Sequence, residues 1–326
     1  MKTFNSFSLV ALAILSLASC QKSNTASPVP DGYRKVDFTI DGLDTRAANS
    51  KLESSVSNIQ VSVFDKQGNY ITGGESNGNS LQLNVPVNVD SFKVCALANG
   101  SSKVFGITSL EALKASTSVL GESGDKFEMF SIKEDTDLKP GETCSLKVRR
   151  FAAKVEIDSI KDSISYNHTF SLEKIYLINV STKSDFEFKV DSQAIVYKQY
   201  GKYVPSETDV KGFTFDSLGL AMPATKLYDT KHCFYCYPNP LKAETGTARF
   251  TRLVLEAKLN GTTYYYPVNI TGNGAGIESN KLYKITRMTI TGPGSLSPDV
   301  PVSKQDLTFS VEVIDWFEGT TQSVVI

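Results

Sequence analysis

Tyr33–Ala48 reads YRKVDFTIDGLDTRAA. Its first part, Lys35–Ile40, alternates apolar and polar side chains and puts Val36, Phe38 and Ile40 on one face, the pattern of a half-buried β-strand. A short polar turn carrying Gly42 follows, and in it stands a single basic residue, Arg46, ahead of Ala47 and Ala48. A strand that fills a sheet but is tied to the body by an exposed loop with one arginine is a strand that a trypsin-like protease can remove. Taken alone, Arg46 reads as an ordinary surface arginine; a cut between Arg46 and Ala47 would make the strand bearing Val36, Phe38 and Ile40 a removable one.

Upstream, Met1–Cys20 is a targeting segment. Lys2 gives a positive start, Leu9–Leu17 is an apolar run too short to span a bilayer as a mature helix, and Ala18 and Ser19 are small residues placed directly before Cys20. Leu17-Ala18-Ser19-Cys20 has the form of a bacterial lipobox, cut before a cysteine whose thiol carries lipid. The polar run Gln21–Pro30 is then a tether. Several acyl chains hold a precursor on a membrane firmly, where a single one does not.

Downstream, the residues read as an all-β protein: Tyr, Phe, Val, Ile and Thr are plentiful, while Gly-, Asn- and Ser-rich turns recur. Val56–Asp65, Leu81–Val85, Phe92–Ala98, Phe127–Ile132 and Glu142–Arg149 read as strands, and Gly73–Ser80 as a loop. Ser109–Ser118 is a helix candidate capped by Ser109. Arg249–Leu259 and Thr262–Thr271 form a hairpin around Asn260-Gly261. Leu307–Asp315 reads as one strand with Leu307, Phe309, Val311 and Val313 facing one way. The KVDFTID pattern of Lys35–Asp41 returns as KVEID at Lys154–Asp158, which points to two related sandwich domains in tandem.

The 326 residues carry 34 Lys plus Arg against 35 Asp plus Glu, a net charge of -1, which argues against nucleic acid as a partner. Two histidines, His168 and His232, leave little room for acid–base chemistry, so an enzyme is not expected. Cys233 and Cys236 have CxxC spacing, but in a strand they point to opposite faces and are poorly placed to share a metal. They read as buried free thiols. A Cys95–Cys144 disulfide stays open from sequence. Glu134–Asp137 reads as a solvated turn rather than a calcium site, and Tyr264–Tyr266 as a half-exposed strand rather than a sugar platform. No metal or cofactor is expected.

The chain resembles the fimbrillins of the Bacteroidales, the pilins of type V pili. The resemblance is carried by the lipobox at Cys20, Thr45-Arg46-Ala47, Arg150-Phe151-Ala152-Ala153-Lys154-Val155, Tyr235-Cys236-Tyr237-Pro238-Asn239 and Tyr264-Tyr265-Tyr266-Pro267-Val268. Its C-terminal part is Asn280-Lys281-Leu282-Tyr283, Gly292-Pro293-Gly294-Ser295, Pro298-Asp299 and Asp315-Trp316. It implies two transthyretin-like β-sandwiches: signal peptide 1–19, lipidated propeptide 20–46, N-terminal sandwich 47–150, and C-terminal sandwich 151–326 with a terminal donor tail. It also implies an outer-membrane lipoprotein precursor held by the Cys20 lipid, cut by an Arg-specific surface protease, and sibling pilin subunits as partners in a surface fimbrium that supports adhesion. The available donor is Asp315–Ile326, with Phe317, Val324, Val325 and Ile326; the competing reading of this tail is a plain final strand of its own domain. The alternatives are a tip, accessory or anchor subunit of the same fimbriae, and a surface carbohydrate-binding lipoprotein. A host or bacterial ligand is not specified.

Overall fold

The computed structural model describes residues 29–41, 53, 55–89, 91–121, 126–181, 183–189, 196–197, 214–245, 248–272, 274–316 and 321–322. The first half of the chain runs β1 (Tyr33–Asp41), β2 (Asn58–Asp65), β3 (Tyr70–Asn77), β4 (Ser80–Pro86) and β5 (Phe92–Ala98). A single turn of helix, α1 (Leu110–Lys114), comes next, followed by β6 (Thr117–Val119), β7 (Met129–Thr136), β8 (Thr143–Lys147) and β9 (Arg149–Arg150). The second half begins with β10 (Ala153–Ile157), β11 (Ile160–Asp162), β12 (Phe170–Ile178), β13 (Val180–Ser181), β14 (Lys183–Asp185), β15 (Val196–Tyr197) and β16 (Phe215–Ala221). It continues with β17 (Leu227–Tyr228), β18 (His232–Cys236), β19 (Arg252–Leu259), β20 (Thr262–Asn269), β21 (Lys281–Ile285) and β22 (Met288–Ile290). It ends with β23 (Leu307–Phe309), β24 (Glu312–Asp315) and β25 (Thr321–Gln322). The fold is all-β.

Two layers close over the first core. The sheet β4-β1-β8 faces the sheet β3-β2-β5-β7-β9. Val36, Phe38 and Ile40 from one layer meet Ile59, Val61, Val63, Val94 and Ala96 from the other, the alternation that a sandwich interior demands. The second core lies between β16-β12-β19-β20 and a layer made of β18-β10-β21-β24-β25 and β17-β11-β22-β23. A third cluster, with Phe64, Phe130, Phe151, Phe186, Tyr237 and Trp316, joins the two halves, and a short ladder between β6 and β14 crosses with it.

The two KV-containing strands have the same kind of neighbours. β1 pairs antiparallel with β4 and parallel with β8; β10 pairs antiparallel with β18 and parallel with β21. The hairpin β19–β20 turns on Asn260 (φ 50) and Gly261 (φ 82), the left-handed pair that a two-residue turn requires.

Three readings of the sequence are corrected. Residues 73–77 of the expected loop continue β3, because Gly73 lies so close to β2 that a Cβ there would sit 2.5 Å from the Val61 carbonyl oxygen. Glycine here is a packing requirement, not a turn signal. The single strand expected over Leu307–Asp315 is two strands in different sheets, and the crossing leaves Phe309 on the surface at 37% exposure while Leu307 and Val313 are buried. The helix is shorter than expected, although Ser109 caps it by accepting from the Ala112 backbone N–H. The four cysteines of the described residues are free; Cys95 packs in the joint cluster and Cys144 in the first core.

Candidate functional site

β1 is the middle strand of its sheet. Phe38 stands across from Leu81 on β4 and from Cys144 on β8; Val36 faces Leu83, and Ile40 faces Leu146. Val36 and Phe38 are 1% and 0% exposed, so this strand supplies the floor of the first core. Its polar positions are also engaged: Gln82 Nε2 donates to Asp37 Oδ1 at 2.9 Å, and the Ser145 hydroxyl donates to Asp41. The Arg34 guanidinium lies over the Phe92 ring at 5.7 Å. Without β1, the facing edges of β4 and β8 would each present a row of unpaired backbone groups above an open apolar trough.

Between Asp41 and Glu53, residues 42–52 lie outside the described residues, and Arg46 and Ala47 fall among them. Cys20 is outside them too. What stands on either side is firmly held. β1 ends on the Asp41–Ser145 contact, and the chain is held again at Glu53, 7% exposed.

Glu53 is the centre of a buried polar joint. Its carboxylate accepts from Lys154 Nζ at 2.9 Å, from the Tyr235 hydroxyl at 2.7 Å and from Trp316 Nε1 at 3.2 Å. Its backbone carbonyl accepts from Arg150 Nε at 2.7 Å and from a second guanidinium nitrogen. Burial works to raise the Glu53 pKa, but the hydrogen bonds from Lys154, Tyr235 and Trp316 and the Lys154 charge outweigh it and hold the carboxyl below its ordinary range. Burial likewise works to lower the Lys154 ammonium, and the contact with Glu53 overcomes it, so that group is raised. Burial carries Arg150 down to about 10. Asn280 closes the joint, accepting from the Trp316 backbone N–H and donating its own N–H to the Ala152 carbonyl.

The motifs Arg150–Val155, Tyr235–Asn239, Asn280–Tyr283 and Asp315–Trp316 are far apart in sequence, and this joint is where they meet. Glu53 itself went unread. Its partners Tyr235 and Trp316 are 182 and 263 positions away, so no local pattern marks it.

Beyond Trp316, the expected donor residues Phe317, Val324, Val325 and Ile326 lie outside the described residues. Thr321–Gln322 is described and pairs with β24, Ile314 opposite Thr321 and Val313 opposite Gln322. The histidines sit away from the slot, each against one carboxylate: His168 Nε2 is 2.7 Å from Asp162 and His232 Nδ1 is 2.7 Å from Asp216. Among the described residues no group of three or more His, Cys, Asp or Glu side chains is placed to hold a metal ion. Burial raises the thiols of Cys95 and Cys236 to about 12 and that of Cys233 to about 11.

No family profile matches the chain. A curated relative does: the major fimbrium subunit FimA type-2 of Porphyromonas gingivalis, 23% identical in an alignment covering 98% of each chain. The chain is homologous to the major fimbrium subunits of P. gingivalis. Two solved structures share this fold. One is a fimbrilin of P. gingivalis W83, with a TM-score of 0.62, 18% identity, and coverage of 87% of this chain and 98% of the other. The second is the tip fimbrial protein Mfa3 of P. gingivalis, C-terminally truncated, with a TM-score of 0.51, 14% identity, and coverage of 88% and 100%.

Proposed function

We propose that this protein is a fimbrillin, a structural subunit of a cell-surface fimbrium assembled from sibling subunits after proteolysis at Arg46. In this reading the precursor reaches the outer membrane as a lipoprotein through Cys20. An Arg-specific protease cuts before Ala47, β1 leaves, and the C-terminal tail of another copy enters the trough between β4 and β8.

The observation that carries the reading is the place of β1. It is a central strand whose apolar side chains complete a core, yet it is joined to the body only through a segment containing Arg46. Val36, Phe38 and Ile40 together bury apolar surface worth about 5–8 kcal/mol before ordering costs. A strand from a neighbour restores that contribution and the backbone ladder, the recognition mode known as strand addition. The homology to a major fimbrium subunit supports a stalk position.

The test is incubation of the purified precursor with an Arg-specific protease, followed by N-terminal sequencing and electron microscopy. The expected result is a new N-terminus at Ala47 and filaments. A uniformly monomeric processed product contradicts a stalk role.

A further inference from the structure

Cutting at Arg46 would leave a chain whose two ends are gathered by one carboxylate. Glu53 is the first described residue after the cut, and Trp316 is the last before residues 317–320 and the tail. The Trp316 indole N–H donates to Glu53 Oε2 at 3.2 Å, while Lys154 and Tyr235 occupy Oε1. The indole is 8% exposed. It stacks on Tyr235 with centroids 5.9 Å apart, meets Phe127 edge-on at 5.7 Å, and lies 4.5 Å from the Arg150 guanidinium. The tail therefore starts from a side chain clamped on the joint between the two halves, not from a loose end.

That anchoring matters for any process in which the tail is inserted elsewhere. Each residue ordered on insertion costs conformational entropy. With Trp316 held, only the residues beyond it have to rearrange, Thr321–Gln322 leaving β24, and they search for their target from a fixed origin. With Trp316 released, the root and the end of β24 must be ordered as well, and the starting direction is lost.

We propose that Glu53 is a positioning residue for tail donation: by holding the Trp316 indole on the joint, it sets the point and direction from which the tail leaves the body. The inference rests on the strand-exchange reading above. It separates two roles of one subunit, because the slot between β4 and β8 is built without Glu53 or Trp316, whereas the donor's origin depends on both.

The experiment compares processed wild-type protein with Trp316→Phe, which keeps an aromatic ring and deletes the N–H, with Glu53→Gln, and with Tyr235→Phe. The last removes another donor from the same carboxylate and keeps the ring that stacks on Trp316. Self-assembly is followed by light scattering, and acceptor capacity by binding of a synthetic peptide, residues 317–326. For Trp316→Phe and Glu53→Gln the assembly rate is expected to fall about tenfold, as for loss of one hydrogen bond to a charged acceptor, with peptide affinity within about twofold of wild type. Tyr235→Phe is expected to assemble at the wild-type rate. Assembly of Trp316→Phe and Glu53→Gln at the wild-type rate overturns the proposal. So does a matching loss of peptide binding, or an equal loss in Tyr235→Phe, either of which makes the joint a matter of stability alone. Wild-type protein that neither binds the peptide nor assembles overturns the exchange reading and the clamp with it.

Discussion

Phe38 contributes the largest side chain that β1 places in the first core, between Leu81 and Cys144 on the flanking strands. Phe38→Ala is expected to destabilise the precursor by about 3–5 kcal/mol in denaturant unfolding. If β1 is discarded, filaments made from the variant should match wild type in stability, because the altered residue is no longer present. Glu53 supports a pH prediction. Its folded pKa is depressed, so its contribution is complete above the ordinary value of 4.5 and is lost as pH falls through the lowered one. The Lys154 ammonium is raised, so its contribution is complete below 10.5 and is lost as pH rises through the higher value. Glu53→Gln should therefore flatten the acid limb of a stability–pH profile measured by thermal unfolding; an unchanged limb would mean that other carboxylates set it. The burial of Val36, Phe38 and Ile40 was legible from alternation along six residues. Glu53 was not, because a buried acid is defined by partners brought from distant parts of the chain.

At the scale of elements, β1 and β25 have contrasting places: one occupies the centre of its sheet, and the other sits on an edge. Thr321–Gln322 adds to the outer side of β24, where a strand can pair on one side only. Deleting Ser323–Ile326 should leave proteolysis at Arg46 at its normal rate, measured by gel mobility, and abolish polymer formation; normal assembly would move the donor elsewhere. Strands bounded by turn residues were readable in sequence, as at β1, β5 and the β19–β20 hairpin. β3 was misread at Gly73-Gly74, since Gly73 answers to the close approach of β2 and Gly74 to the Leu83 and Leu81 side chains of β4 rather than to a turn. The split between β23 and β24 was missed for a related reason. Alternation tells which side chains share a face only while the strand stays in one sheet, and here the chain passes from one to another at Ser310–Val311.

Over the whole molecule, the proposed exchange would give one subunit two different, complementary surfaces: an acceptor slot between β4 and β8 and a tail rooted at the joint. Contacts of that head-to-tail kind do not close on themselves, and repeated, they produce a filament. Four of the motifs that carry the resemblance, Arg150–Val155, Tyr235–Asn239, Asn280–Tyr283 and Asp315–Trp316, converge on the joint and not on the slot. Recognition from sequence was therefore strong where the two halves meet, while the slot was read only from the pattern of one strand. The central claim is that β1 is a substitute for part of another copy, and a cryo-electron-microscopy structure of the assembled filament tests it most directly. The account predicts the tail of a neighbouring subunit lying between β4 and β8, with residues 33–46 missing from every subunit. Density for β1 still in that position, continuous with its own chain, would contradict it.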